Sequence, residues 1–162
     1  MSAVEQPEQA TLHILDVSRY QGRIDWDAVA ACGLVDGVML RAVSTNPRFG
    51  GVYLDPEFEY NYAGCRRVGL PVGAYYYTYA QTPAQADAEL ALLRQTLAGK
   101  TLELPVAVDV EDACLAALTP AELSRLVARA AETVEEWGPV RDGLHLRPLR
   151  GHRAGDGRAA RL

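Results

Sequence analysis

The chain has few of the features that usually mark a disulfide-stapled, metal-binding, membrane-spanning or phosphate-binding protein. Its three cysteines, Cys32, Cys65 and Cys114, are odd in number and far apart. They lack the short pairwise spacing of a zinc site, so neither a bound metal nor a disulfide framework is expected. Cys32 and Cys65 fall near the ends of predicted helices, where a small thiol packs well as a buried apolar group. No apolar run approaches the roughly 20 residues needed to span a bilayer. The opening stretch, MSAVEQPEQA, has neither a basic n-region nor an apolar h-region. As written, the chain is therefore expected in the cytoplasm, without a signal peptide or membrane span. Positive charge is also lacking: the net charge is −5, which disfavours a nucleic-acid binder that tracks phosphates.

What is present is an ordinary globular composition, with 49% apolar and 23% charged residues over 162 positions. That length suffices for one domain with a real core. After a loose polar lead-in over residues 1–10, strand and helix signals alternate. Strands are predicted at 12–17, 37–43, 72–79 and 105–110. Helices are predicted at 24–32, closed by Gly33, and at 55–68, opened by Asp55 as N-cap with Pro56 at the first helical position. Two more, at 82–98 and 119–137, each begin with Thr-Pro. Four such repeats, with connections long enough for parallel crossovers, indicate an α/β fold with a parallel sheet, doubly wound or closed as a barrel. A nucleotide-binding sheet needs a glycine-rich first turn, but the turn here is Asp16-Val17-Ser18-Arg19-Tyr20-Gln21-Gly22, without GxGxxG.

The character changes after Trp137. Residues 138–162 contain six arginines, two aspartates, five glycines and no lysine or glutamate, whereas residues 1–137 hold ten basic against nineteen acidic side chains. With neither apolar period nor cap signals, this tail is expected to be disordered. It reads either as a basic arm for an acidic partner or as sequence not selected as protein, such as a reading-frame change.

The acids carry the functional reading. In Pro105-Val106-Ala107-Val108-Asp109-Val110-Glu111-Asp112 the valines share one face, while Ala107, Asp109 and Glu111 share the other. Two carboxylates crowded at the C-terminal end of a parallel strand tend to raise one pKa, leaving an acid protonated near neutrality. Active sites of β/α barrels lie at that end of the strands. Asp16 occupies the same kind of position on the first strand, so three acids would converge at one mouth. On the 72–79 strand Tyr75 and Tyr77 face one way, as aromatic rings that stack on sugars do. Arg41 ends the second strand, placed either to join the acids and substrate or to form a surface salt bridge. His13, on the face opposite Asp16, is expected to be buried packing.

Three stretches resemble glycoside hydrolase family 25, the Chalaropsis-type lysozymes. They are Asp16 to Gly22 followed by Ile24-Asp25-Trp26, then Gly69 to Tyr77, and then Pro105 to Asp112 with its Asp109-Val110-Glu111 core. The resemblance runs from about residue 12 to 137. It implies a TIM-type (β/α) barrel of which only the first four β/α units are present, spanning residues 11–137. It also implies hydrolysis of the β-1,4 bond between N-acetylmuramic acid and N-acetylglucosamine in peptidoglycan, at the bacterial cell wall. Glu111 matches the general acid, Asp109 its neighbouring carboxylate and Asp16 the acid of the first strand. No metal or organic cofactor is implied. The Cα atoms of Asp109 and Glu111 should lie roughly 6.6 Å apart, from two rises of about 3.3 Å. Side-chain rotation then accommodates a retaining, an inverting or a substrate-assisted course. The family's later strands, which bring aromatics and a further aspartate, have no counterpart in the Arg/Gly tail. The chain alone is therefore expected to show little or no muramidase activity and to self-associate through open sheet edges. A glycan-binding module without catalysis, or an inactive product, are the alternatives.

Overall fold

The computed structural model describes residues 11–46 and 51–137. The expected flexible lead-in, 1–10, and the Arg/Gly-rich tail, 138–162, lie outside the described residues. The elements run β1 (Ile14–Val17), α1 (Trp26–Cys32), β2 (Gly37–Asn46), β3 (Gly51–Leu54), α2 (Phe58–Val68), β4 (Val72–Tyr77), α3 (Pro83–Leu97), β5 (Val106–Asp109) and α4 (Pro120–Glu136). Short 3₁₀ turns follow β1 at Arg19–Gln21 and β5 at Ala113–Ala117. The result is a mixed α/β fold built on a mostly parallel sheet. Strands β1, β2, β4 and β5 lie side by side in that order, all parallel, and β3 pairs antiparallel with β2.

The parallel strands add in chain order without reversal, and α1, α2 and α3 bury side chains against the same face of the sheet. Trp26, Phe58, Cys65, Leu90, Leu93 and Leu97 meet Val17, Val38, Leu40, Val43, Val72, Ala74 and Tyr76 in one cluster. Side chains on a strand alternate between faces, so every second residue goes to this core and its neighbours go to the opposite face. Trp26 is the largest fully buried side chain, and its Nε1 donates to Asn61 Oδ1 at 3.2 Å. Gly64 lies against that indole so closely that a Cβ would collide with the ring, which is why α2 has no side chain there.

The expected caps are seen at both Thr-Pro starts. Thr82 and Thr119 each accept from the backbone N–H three residues on, and Gln85 and Glu122 reach back in turn. Gly33 and Gly69 close α1 and α2 in the left-handed region, at φ of 66° and 77°.

Four sequence expectations need correction. β3 was not foreseen, and β2 runs three residues past its expected end to pair with it. α2 begins at Phe58 rather than at Pro56, because Asp55 instead closes a tight turn, its Oδ1 accepting from Glu57 N at 3.0 Å. His13 is exposed rather than buried: β1 is an outer strand of the described sheet, and His13 faces Asp36 with Nδ1 3.6 Å from Oδ2. Cys65 is buried, but Cys32, the last residue of α1, is exposed. Among the described residues, no helix is long and apolar enough to cross a membrane.

Candidate functional site

The face of the sheet turned away from the helices holds the candidate residues. Asp16 lies in register with Met39, and Met39 with Gly73. Further along, Tyr75 lies between Arg41 and Ala107, and Tyr77 between Ser44 and Asp109. One irregularity interrupts β2 between Arg41 and Val43. The extra residue there keeps both Arg41 and Ser44 paired to this face, although strict alternation would separate them. The Ser44 hydroxyl donates to Tyr77 O at 3.3 Å. Asp109 stands farther along the sheet than Asp16, a stagger of the kind that tilted parallel strands carry.

Burial, then the Glu111 charge, then the Asp16 charge push the Asp109 carboxyl above its ordinary range, while Arg41 opposes the shift. Crowding thus acts on Asp109, which is not the residue that the resemblance matches to the general acid. Burial first, then Asp16 and Asp109, hold the Tyr75 proton well above the usual tyrosine range. Glu111 lies two residues beyond the end of β5, where strand alternation no longer dictates direction. It is exposed, and its charge reaches both Asp109 and Tyr77.

Arg41 is 6% exposed and is committed to Asp55, which is 1% exposed. Its Nε donates to Asp55 Oδ2 at 2.8 Å. Nη2 lies 2.8 Å from the same oxygen but at an angle that leaves it without a directed hydrogen bond. Asp55 Oδ2 also accepts from Arg19 N at 3.0 Å, which ties the turn after β1 to the start of α2. The Arg41 guanidinium sits 5.0 Å from the ring centroid of Tyr20, a side chain that is 73% exposed. Arg41 is therefore neither a surface salt bridge nor a direct partner of the three acids. It is a buried cation whose charge reaches Asp109 and Tyr75.

Sequence reasoning missed Asp55, Glu89 and Asp112. Glu89, on α3 and 1% exposed, accepts from Thr45 Oγ1 at 2.7 Å, Thr78 Oγ1 at 2.6 Å and Tyr79 N at 3.1 Å. This carboxylate fastens the C-terminal ends of β2 and β4, just where Ser44 and Tyr77 sit. Its position amid an apolar helix pattern was the signal available: a buried acid needs partners. Beyond β4, the Tyr77 and Tyr79 rings lie 5.3 Å apart at 47°. Chemically, the arrangement offers a proton donor, nearby negative charge and an aromatic wall on one open face. That is the equipment for splitting a glycosidic bond.

The chain is similar to several known proteins. The sequence pattern of glycosyl hydrolases family 25 matches residues 15–139. The uncharacterized protein YegX of Escherichia coli strain K12 is 34% identical over 134 residues, which cover 83% of this chain and 47% of that protein. The autolytic lysozyme of Clostridium acetobutylicum is 31% identical over 97 residues, 60% of this chain and 27% of the other. Among solved structures, the modular autolysin LytC of Streptococcus pneumoniae, seen in complex with a synthetic peptidoglycan ligand, superposes with a TM-score of 0.65. It is 25% identical, over 77% of this chain and 30% of LytC. The chain thus spans about half the length of YegX, and less of the others. With three motifs, the acid-bearing face and the family pattern all in agreement, the chain belongs to glycosyl hydrolases family 25.

Proposed function

We propose that this face acts on the glycan strands of peptidoglycan, hydrolysing the β-1,4 bond between N-acetylmuramic acid and N-acetylglucosamine at the bacterial cell wall. The observation that carries the proposal is the register that sets Tyr75 beside Ala107 and Tyr77 beside Asp109, with Asp16 on the same face away from the helices, where the Glu111 and Asp16 charges both bear on Asp109. Glu111, on the loop after β5, gives its proton to the leaving oxygen. Asp16 and Asp109 supply the negative charge that an oxocarbenium-like transition state requires. The Tyr75 hydroxyl, which feels the Asp16 charge, helps orient that carboxylate. Tyr75 and Tyr77 line the glycan path, and Arg41 braces it through Asp55. No metal or organic cofactor enters this chemistry.

In this reading residues 11–137 form half of a TIM-type barrel. Strand order without reversal and helices on a single face support it, since doubly wound sheets reverse order and carry helices on both faces. Among the described residues the inner face is then open. Leu12, Ile14, Asp16 and Ala107 are all exposed, and β1 and β5 are the outer strands of the described sheet. These are the edges through which a second copy would pair. An open site excludes water poorly and binds one side of the glycan only, so turnover by this chain is expected to be slow. The same openness, beside a well-built tyrosine wall, favours a second reading in which the face grips glycan without cleaving it.

Co-sedimentation with purified cell walls, together with release of new reducing ends, distinguishes the two. Hydrolysis predicts slow release that Glu111→Gln abolishes, with binding retained. Binding alone predicts no release from either protein and a loss of sedimentation in Tyr77→Ala. A chain that neither binds nor cleaves would overturn both.

A further inference from the structure

Asp112 follows Glu111 directly and lies where the loops after β4 and β5 meet. These loops are joined along their length. Thr78 N donates to Asp109 O at 3.1 Å, Gln81 Nε2 to Cys114 O at 2.6 Å, and Cys114 Sγ approaches Tyr79 O at 3.8 Å. The Asp112 carboxylate is at the centre of this seam. Its Oδ1 accepts from Cys114 N at 2.9 Å and so starts the 3₁₀ turn at Ala113–Ala117. Its Oδ2 accepts from the Tyr77 hydroxyl at 3.4 Å, and its charge reaches the Tyr79 hydroxyl. One acid therefore bears on both phenols of this tilted pair.

We infer that Asp112 is a positioning residue: it ties the Tyr77 hydroxyl, and with it the adjoining Tyr79 ring, to the loop that carries Glu111, and so fixes how far the aromatic wall stands from the acid. The electrostatics agree. The Cys114 N–H first, and the two phenols after it, hold the Asp112 carboxyl below its ordinary range, so it is ionised at neutral pH. Burial first, then the Asp112 charge, push Tyr77 up to about 12, with Tyr79, Glu111 and Asp109 adding to the shift. What the wall faces rests on the peptidoglycan reading, whereas the pinning itself does not.

Asp112→Asn is the discriminating variant, because its amide oxygen still caps Cys114 N while the charge is lost. Alkaline titration of tyrosine absorbance reads the pinning without any glycan. Two tyrosine equivalents should move down toward the ordinary value of about 10, and the shift should vanish in a Tyr77→Phe/Tyr79→Phe background. An unchanged titration curve would overturn the inference. Binding to purified glycan strands reads the consequence. Asp112→Asn should weaken it roughly three- to tenfold, the weight of one or two hydrogen bonds, with no further loss in the double phenylalanine background. Additive losses would show that Asp112 acts independently of the tyrosines. If the unaltered chain binds no glycan while the titration still shifts, the peptidoglycan reading fails and the pinning stands.

Discussion

The two faces of the sheet are held by different physics. On the helix side, Val38, Leu40, Val43, Val72, Ala74 and Tyr76 pack dry against three helices, and stability comes from apolar area removed from water. On the other side, Asp16, Arg41, Tyr75, Tyr77 and Asp109 are polar or amphipathic, and order there depends on paired charges and hydrogen bonds. Folding is secured on one side, which leaves the other free to crowd acids that work against stability. That division is the general stability–function trade-off, seen here across the thickness of one sheet.

Three substitutions sharpen the contrast. The largest effect is expected from Asp55→Ala. It leaves Arg41 buried without its counter-charge and removes the acceptor for Arg19 N and Glu57 N. A loss of about 3–5 kcal/mol is expected by urea denaturation, as for other broken buried pairs. A loss below about 1 kcal/mol would mean that this face is merely a solvated surface. Leu93→Ala, at a fully buried position on the helix side, should cost about 3 kcal/mol through lost contacts and the cavity left behind. Its effect should be independent of pH and salt, which the same titration at two ionic strengths would check.

Asp109→Asn should act in the opposite direction and by the least. The folded chain raises the Asp109 pKa above its ordinary 3.8, so it holds that proton more tightly than the unfolded chain does. The associated stability is fully present below about pH 4 and is lost as pH rises through the folded value. Above the folded value the ionised carboxylate therefore strains the fold. Replacing it should raise Tm by roughly 1–2 °C, a small figure because the group is partly solvated. Below about pH 3.5 the difference should disappear. A lower Tm at pH 7 would show that Asp109 is a stabilising acid.

Much of this was legible in the chain. Alternation along 105–110 separated the valines from Ala107 and Asp109, and both Thr-Pro helix starts are capped as read. The hidden parts are those that need partners distant in sequence. Gly51–Leu54 is only four residues long and becomes a strand by pairing with the extended end of β2. The irregularity between Arg41 and Val43 cannot be read from an alternating pattern, yet it decides that Ser44 joins Tyr77. Glu89 finds Thr45 and Thr78, 44 and 11 residues away, so only the assembled fold explains an acid on that helix face. Arg41 left two readings open and took a third, because Asp55 arrives from the turn after β3.

The most direct test identifies the sugar at the new reducing ends when purified peptidoglycan is incubated with the chain. The account predicts slow accumulation of N-acetylmuramic acid ends, absent when Glu111 is replaced by glutamine. Ends carrying N-acetylglucosamine, or equal accumulation with the Glu111→Gln protein, would contradict it.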